Sequence, residues 1–221
     1  KRYIYSFNNF ILKQIKLGKN SRILDIGCGR GKIIGNLSDK LTLINKPIGL
    51  DIESYKDKSK KINFKKSDAI TFVSKTKITF DLILIKQTIH MLKKNQIIKL
   101  LSICKNKLNY NGKIIILSLD AKKNEIPTFD LMKKKLKNSF KRDEKIFNLI
   151  IKFNPKAIIK NFIFKVKVPK KKYLQMIENR YISTLLKFND NQIKNGLKEI
   201  NFKYKNELKF NDRLICLILK K

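Results

Sequence analysis

The chain has 221 residues and a formal net charge of +35, from 52 Lys and Arg against 17 Asp and Glu. The apolar content of 43% is enough to build a core, so the composition excludes wholesale disorder. No apolar run approaches the ~18 residues of a membrane-spanning helix, and the first residues lack the pattern of a secretory signal. We therefore expect one domain over residues 1–221, located in the cytoplasm and without a membrane partner.

The basic charge is spread evenly along the chain. Residues 1–119 carry a net charge of +18 and residues 120–221 one of +17, and only six of the basic residues are Arg. Sites that read bases or grip phosphates favour Arg. Lys, Ile and Asn, whose codons are rich in A and T, supply 103 of the 221 residues. We interpret the charge mainly as a solvated Lys surface, and nucleic acid stays an alternative partner.

Cysteine usage indicates a reducing compartment. The chain has three cysteines, Cys28, Cys104 and Cys216, which are odd in number and far apart. This spacing argues against a disulfide framework and against a zinc site, so we predict no metal.

The first half alternates apolar strands with amphipathic helices. The pattern predicts a helix over residues 3–17 and a turn over 109–112, with strands at 22–26, 41–50, 62–64, 80–85 and 113–119. Continuous apolar strands alternating with helices are typical of a parallel sheet that is covered on both faces.

The second half is less regular. A helix is predicted over 128–151, then a half-exposed strand containing Phe162 and Val168, and a last strand over 213–219. Between these two strands we expect a helical insertion at about residues 169–205. It would contain helices at about 170–186 and 190–200, the second capped by Asp190.

A glycine cluster follows the first strand. Ile23-Leu24-Asp25-Ile26-Gly27-Cys28-Gly29-Arg30-Gly31 lets the backbone approach a ligand closely, with helix amides facing it. A P-loop would need Gly where Ile26 stands and Ser or Thr where Ile33 stands. The dinucleotide fingerprint would need a third glycine at Lys32. S-adenosylmethionine is the candidate ligand that remains. Its amino-acid end carries a carboxylate but no pyrophosphate, so it needs less anion binding at the helix N-terminus.

Residues 20–120 resemble the class I S-adenosylmethionine-dependent methyltransferases, in particular the small-molecule branch with a methyltransferase-type-11 core. The resemblance implies that the glycine loop wraps the methionine end of the cofactor and that Asp25 helps to hold its amino group. Asp51 would accept the ribose hydroxyls, Ile52 would line the adenine, and Asp68 would reach the adenine amino group. The cofactor residues implied are Asp25, Gly27, Cys28, Gly29, Gly31, Asp51, Ile52, Asp68, Ala69 and Lys86.

The resemblance also implies a fold. We expect a Rossmann-like, doubly wound α/β domain whose seven-stranded sheet is mostly parallel and has an antiparallel last strand. The cofactor-binding core would span about residues 20–120. Four acids, Asp25, Asp51, Asp68 and Asp81, occupy the motif positions, and we expect them to share one edge of the sheet, where open sheets bind ligands.

Fewer residues of the sequence indicate where the methyl acceptor would bind. His90, the single histidine, is either a general base for an acidic hydroxyl or a packing residue at a helix start. The stretch Tyr173–Leu185 resembles the insertion of the small-molecule members. Within it, Arg180 is either a contact to a substrate carboxylate or a brace to a nearby acid, and Tyr181 is a pocket candidate.

The sequence lacks the motifs of two methyltransferase classes: the amino-group methylases of nucleobases and glutamine, and the RNA cytosine-C5 enzymes. The stretch after the fourth strand has no Asn/Asp-Pro-Pro-aromatic motif, and no Pro-Cys pair occurs. We predict methyl transfer from S-adenosylmethionine to an oxygen, nitrogen or carbon of a small-molecule acceptor. The alternatives are an RNA-modifying methyltransferase and a non-catalytic cofactor-binding subunit.

Overall fold

A computed structural model describes residues 2–120 and 122–221. Within them the strands are β1 (Ile23–Ile26), β2 (Ile48–Asp51), β3 (Asn63–Lys66), β4 (Phe80–Lys86), β5 (Leu108–Leu119), β6 (Ile158–Pro169) and β7 (Glu207–Lys220). The helices are α1 (Arg2–Gln14), α2 (Lys32–Leu41), α3 (Ala69–Lys75), α4 (Lys94–Asn106), α5 (Asp130–Phe153), α6 (Lys170–Glu178) and α7 (Asp190–Lys203). Two short 3₁₀ helices cover Ile89–Met91 and Ser183–Lys187.

The strands form one sheet in the order β3-β2-β1-β4-β5-β7-β6. The β5–β7 and β7–β6 pairs are antiparallel and the other pairs are parallel, which confirms the predicted mostly parallel α/β sheet. In the centre, Asp25 pairs with Gly49 of β2 on one side and with Leu84 of β4 on the other. The carboxyl ends of β1, β2 and β4 therefore lie side by side.

The chain divides into two compact units. The first comprises the chain up to Ser118 together with Ile146–Phe162 and Ile215–Lys221, and the second comprises Leu119–Lys145 and Ile163–Leu214. The expected insertion at 169–205 lies within the second unit, which also includes the start of α5.

The core of the first unit is aliphatic. The central residues of β4, Leu82 to Ile85, are fully buried, and α4 contributes Ile97, Leu100 and Cys104 at helical spacing. None of the helices within the described residues has the length and apolar character that crossing a bilayer requires.

The core of the second unit combines aliphatic side chains with the buried rings of Phe129, Tyr173 and Phe188. Tyr173 is fully buried, and its hydroxyl donates to the Pro127 carbonyl at 2.6 Å, so its polar end is satisfied. Gly196 of α7 lies against the Phe129 ring, where a Cβ would come within 2.6 Å of Cδ1. This close approach explains a glycine in the middle of a helix.

The predicted turn at 109–112 is wrong, because these residues belong to β5. The pairing with β4 jumps from Phe80–Leu108 to Leu82–Lys113, so the four residues between them form a bulge. A Cβ on Gly112 would lie 2.7 Å from the Phe80 carbonyl oxygen, and the bulge therefore requires glycine there. These four residues have the composition of a turn, but the chain does not reverse its direction there, since β5 pairs in parallel with β4 on both sides of the bulge.

Several element boundaries also differ from the predictions, among them the end of α1 and the start of β7. β2 begins at Ile48, because α2 extends to Leu41 and residues 42–47 form an irregular connection. α6 ends at Glu178 and is followed by a 3₁₀ helix. The cap of α7 is Asn189, whose side chain accepts from the Gln192 amide at 2.9 Å, and Asp190 is the first helical residue.

Candidate functional site

The glycine loop between β1 and α2 is held by backbone geometry. Gly27, Gly29 and Gly31 have φ values of 73°, 53° and 65°. The amides of Gly27 and Cys28 donate to the Leu50 carbonyl at 2.8 and 2.9 Å, which fixes the loop to the end of β2. A Cβ on Gly27 would overlap the Thr88 side chain, so the loop depends on glycine both for its conformation and for this contact.

Asp25 is a buried carboxylate directly beneath the loop. The residue is 3% exposed, and its carboxylate has no hydrogen-bond donor among the described residues. Burial raises its pKa to about 7, against the lowering effect of the Lys86 charge, and the nearby Asp51 carboxylate raises it further. A buried carboxylate is costly unless it is paired, so this position favours a cationic ligand group.

Asp51, at the end of β2, is oriented by the backbone. Its Oδ2 accepts from the Gly29 amide at 2.8 Å, and its Oδ1 accepts from the Glu53 amide at 3.0 Å. A carboxylate has about four lone-pair positions, so both oxygens retain capacity for ligand hydroxyls. The neighbouring Ile52 is 64% exposed, which leaves an apolar side chain beside these acceptors.

Asp68 and Asp81 have structural contacts. Asp68 is exposed and caps α3, because its Oδ1 accepts from the Thr71 amide at 2.9 Å; Ala69 is the first residue of that helix. The expectation that Asp81 shares the edge of the other acids is wrong. It lies at the amino end of β4, and its carboxylate accepts from the Arg22 amide and the Asn109 side chain, each at 2.7 Å.

Lys86 ends β4 at the carboxyl edge of the sheet. Its ammonium lies 5.5 Å from the centre of the Tyr3 ring and 5.7 Å from that of Phe7, both on α1. It also donates to the Gln87 side-chain carbonyl at 3.1 Å. Since Ile26 pairs with Ile85, Lys86 is level with the first residue of the glycine loop.

The cysteines do not supply a thiolate near neutral pH. Burial raises the pKa of Cys28 to about 12, and the carboxylates of Asp25 and Asp51 add to this effect. Burial alone raises the pKa values of Cys104 and Cys216 to about 12. Nucleophilic catalysis by cysteine is therefore disfavoured.

His90 lies in the 3₁₀ helix that follows β4 and is half-buried. It belongs to the first unit, as do all the proposed cofactor residues. The structure thus places the candidate base four residues beyond Lys86 on the segment that leaves the carboxyl edge of the sheet.

A contact that sequence reasoning missed joins the glycine loop to the segment between β2 and β3. Arg30 Nε lies 2.6 Å from Asp57 Oδ1, and Lys32 Nζ lies 3.2 Å from Asp57 Oδ2. The Ser59 amide also donates to the Arg30 carbonyl at 2.8 Å. The Arg30 hydrogen bond holds the pKa of Asp57 below its ordinary value. Asp57 is one of only seven acids in residues 1–119. This scarcity of acids is the feature of the sequence that could have indicated a contact at Asp57.

Arg180 and Tyr181 belong to the second unit. The Arg180 guanidinium donates to the Phe188 carbonyl and to Asp190 Oδ1, each at 2.9 Å, so it forms a brace with an acid. The Tyr181 hydroxyl lies 3.1 Å from that of Tyr173. Burial raises the pKa of Tyr181 to about 12, against the lowering effect of its hydrogen bond to Tyr173.

The sheet order, the glycine loop and the acids at the ends of β1 and β2 together define a class I S-adenosylmethionine-dependent methyltransferase. A family model described as the O-methyltransferase domain matches residues 6–145. The chain belongs to this O-methyltransferase domain family. No curated protein matches the sequence.

Solved structures with low sequence identity share the fold. A putative methyltransferase from an antibiotic biosynthesis pathway of Anabaena variabilis is 16% identical, with a TM-score of 0.65 and 95% of each chain covered. A SAM-dependent methyltransferase from Archaeoglobus fulgidus is 22% identical, with a TM-score of 0.55 and coverage of 99% and 94%. The plantazolicin methyltransferase BpumL, crystallised with SAH and a desmethylPZN analogue, is 18% identical, with a TM-score of 0.52 and coverage of 99% and 83%.

The predicted membership of the class I S-adenosylmethionine-dependent methyltransferases is thus confirmed. The protein is an enzyme, a methyltransferase, and its cofactor is S-adenosylmethionine. The residues present fit this cofactor, because the buried Asp25 carboxylate suits an ammonium group and the Asp51 oxygens suit hydroxyls.

Proposed function

We propose that the enzyme transfers the methyl group to an oxygen atom of a small-molecule acceptor. The observation that carries this proposal is the match to the O-methyltransferase domain over residues 6–145, a segment that contains every proposed cofactor residue. Solved structures of this fold hold different ligands: BpumL holds a monoazolic desmethylPZN analog, and an N-methyltransferase from Haemonchus contortus holds phosphomonomethylethanolamine.

The proposed cofactor contacts follow the geometry of the first unit. Asp25 would bind the ammonium group, and Asp51 would accept the two ribose hydroxyls. The exposed Ile52 would cover one face of the adenine. Asp68 would use its carboxylate for the adenine amino group in addition to capping α3. The remaining contacts would come from Gly27, Cys28, Gly29, Gly31, Ala69 and Lys86.

When bound, S-adenosylmethionine supplies an electrophilic methyl group. A carbon–oxygen bond forms as the carbon–sulfur bond breaks, and sulfur keeps the electron pair. The protein contributes proximity and orientation, which account for a large share of the rate enhancement in such displacements. We propose that His90 accepts the proton of a hydroxyl acceptor. Within the second unit, Arg180 and Tyr181 stay the proposed acceptor-binding residues, and Arg180 would contact an acceptor in addition to its ion pair with Asp190.

Cofactor binding is tested first by thermal unfolding with S-adenosylhomocysteine. The product should raise the melting temperature, and Asp51→Ala should abolish most of the rise. Asp39→Ala is the matched control, because Asp39 is an exposed acid on α2 that pairs only with Lys61, at 2.9 Å, among the interactions seen. No shift at millimolar ligand would overturn the proposal.

Methyl release then tests the acceptor class. The assay compares small acids, phenols, amines and total RNA as acceptors. Turnover with a phenol or a carboxylic acid supports the proposal, and turnover only with amines or only with RNA contradicts it. Binding without turnover on any of these acceptors would overturn the proposed acceptor class.

A further inference from the structure

The amino ends of the parallel strands β3, β2, β1 and β4 border a pocket at the edge of the sheet opposite the glycine loop. Its volume is about 550 Å³, within the ~300–1,000 Å³ that is typical of small-molecule sites. Ile23, Ile48 and Phe80, which begin β1, β2 and β4, line it together with Ile62 and Ile78. We call it the amino-edge pocket, and all of its lining residues belong to the first unit.

The apolar wall of this pocket is fixed by packing. Ile62 is buried, and its Cδ1 fills the space that a side chain on Gly31 would occupy. The same atom lies 2.9 Å from the position of a Cβ on Gly49. The Asn63 amide donates to the Pro47 carbonyl at 2.9 Å, which joins the starts of β2 and β3. The pocket is therefore formed before a ligand binds, which lowers the entropic cost of binding.

Two positively charged residues, Arg22 and Lys46, line the same pocket, together with Asn45 and Asn63. The Arg22 backbone is fixed, since its amide donates to Asp81 Oδ2 at 2.7 Å and its carbonyl accepts from the Asp81 amide at 2.9 Å. Among the described residues, the Arg22 guanidinium and the Lys46 ammonium form no hydrogen bond or ion pair, and no acid lines the pocket. Two unpaired cations thus lie beside a preformed apolar wall.

We propose that the amino-edge pocket binds a small organic anion, whose carboxylate pairs with Arg22 and Lys46 and whose apolar body covers the isoleucine wall. The planar guanidinium presents parallel donors that match the two oxygens of a carboxylate. β2 runs from Ile48 to Asp51, a length of about 10 Å, so an anion in this pocket lies too far from the cofactor site to be the methyl acceptor. The pocket is a second ligand site, and its existence does not depend on which acceptor the enzyme methylates.

Fluorescence titration with 2-naphthoate tests the proposal, with 2-naphthamide as the neutral analogue of the same shape. The chain contains no Trp, so the naphthalene emission can be followed directly. 2-Naphthoate should bind with a dissociation constant of about 1 mM or lower. 2-Naphthamide should bind at least about tenfold more weakly, because it cannot form the charged pair with Arg22.

The cations are tested by removing one charge at a time. Arg22→Met keeps an unbranched side chain and should weaken 2-naphthoate binding by about tenfold or more. Lys46→Met should weaken it by about threefold, since an exposed ammonium makes a less directional contact. Lys99→Met is the matched control and should leave the affinity unchanged, because Lys99 is an exposed lysine on α4 that does not line the pocket.

A second pair of variants changes the wall of the pocket and keeps both cations. Ile78 is 36% exposed, so the fold should tolerate a polar side chain there. Ile78→Asp places a negative charge beside the proposed carboxylate, and Ile78→Asn makes the same change of shape without the charge. 2-Naphthoate should bind Ile78→Asp at least about threefold more weakly than Ile78→Asn, whereas 2-naphthamide should bind both variants equally.

Three results would overturn the second site. Equal binding of 2-naphthoate and 2-naphthamide to the wild type would show that the carboxylate makes no contact. An unchanged affinity on both Arg22→Met and Ile78→Asp would show that the ligand binds elsewhere. An equal loss on Lys99→Met would show general attraction by the net charge. The melting-temperature response to S-adenosylhomocysteine reports whether each variant is folded, and where Arg22→Met has lost it, the comparison of Ile78→Asp with Ile78→Asn decides.

Discussion

At Asp25, folding and ligand binding make opposite demands on one side chain. The residue is 3% exposed, its carboxylate has no hydrogen-bond donor among the described residues, and its pKa is raised to about 7. Burial of this kind costs stability in the free protein, but it strengthens an electrostatic contact with a cationic ligand. The residue is thus better suited to the bound state than to the free one, a common property of functional sites.

Binding of S-adenosylhomocysteine should depend on pH through Asp25. Below pH 7 the carboxyl is increasingly protonated in the free protein and no longer pairs with an ammonium group, so affinity should fall as pH decreases. The expected loss approaches tenfold per pH unit well below 7. Calorimetry between pH 5.5 and 8.5 measures it. An affinity independent of pH in this range, or one that rises towards acid, would contradict the assignment.

The Asp25→Asn variant should stabilise the ligand-free protein at pH 8. The pKa of Asp25 in the folded state, about 7, lies above its ordinary value of 3.8. The folded state therefore binds the proton more tightly, and stability is lost as pH rises through 7. Removing the charge should recover about 1–3 kcal/mol in urea unfolding, while the response to S-adenosylhomocysteine disappears.

Asp81→Asn is the matched control, at the opposite edge of the same sheet. Its carboxylate accepts hydrogen bonds from Arg22 and Asn109, so this variant should lose stability and keep its response to the ligand. If Asp25→Asn and Asp81→Asn behave alike, the account of Asp25 is wrong.

Within the glycine loop, the first and second glycines should differ in their tolerance of a methyl group. Both have positive φ, which costs about 1 kcal/mol for alanine. A Cβ on Gly27 would also overlap Thr88, whereas one on Gly29 would meet no atom within 4 Å. Gly27→Ala should therefore cost about 1–3 kcal/mol more than Gly29→Ala in urea unfolding. The double variant Gly27→Ala with Thr88→Ala should recover part of the difference, and equal costs would contradict the structure.

The sequence predicted the buried strands more accurately than the turns and helix caps. β1 and β4 are buried apolar runs with definite ends, so their positions were predicted to within a residue. The stretch Asn109–Gly112 has the composition of a turn, but its conformation is decided by pairing with β4, which sequence does not reveal. Asn189 and Asp190 are both good caps, and local propensity could not choose between them.

The candidate site was predictable only where a motif fixed the backbone. Asp25 and Asp51 follow from the glycine loop and the ends of buried strands, and the structure places them beside that loop. Asp81 matched a motif position but lies at the other end of its strand. The Arg30–Asp57 contact joins residues 27 positions apart through an irregular segment, which periodicity cannot predict.

For the whole molecule, the net charge of +35 should weaken the folded state at low ionic strength. Like charges repel in the compact state, and salt screens this repulsion over about 10 Å at 0.1 M. The ion pairs seen among the described residues are mostly exposed, so their loss in salt should matter less. The melting temperature should rise by several degrees between 20 and 500 mM NaCl, at about 2–4 °C per kcal/mol. A fall over this range would show that ion pairs dominate.

The Arg30–Asp57 contact has a consequence for the timing of the catalytic cycle. The segment that begins at Ile52 is joined to the glycine loop by the exposed charges of Arg30, Lys32 and Asp57, in addition to the hydrogen bond from the Ser59 amide to the Arg30 carbonyl. Where departure of the spent cofactor limits turnover, loosening this segment shortens its residence time. Asp57→Asn should then speed dissociation of S-adenosylhomocysteine in stopped-flow measurements and raise kcat at low salt, with the wild type approaching the same rate as salt increases. An unchanged dissociation rate would show that the segment does not control release.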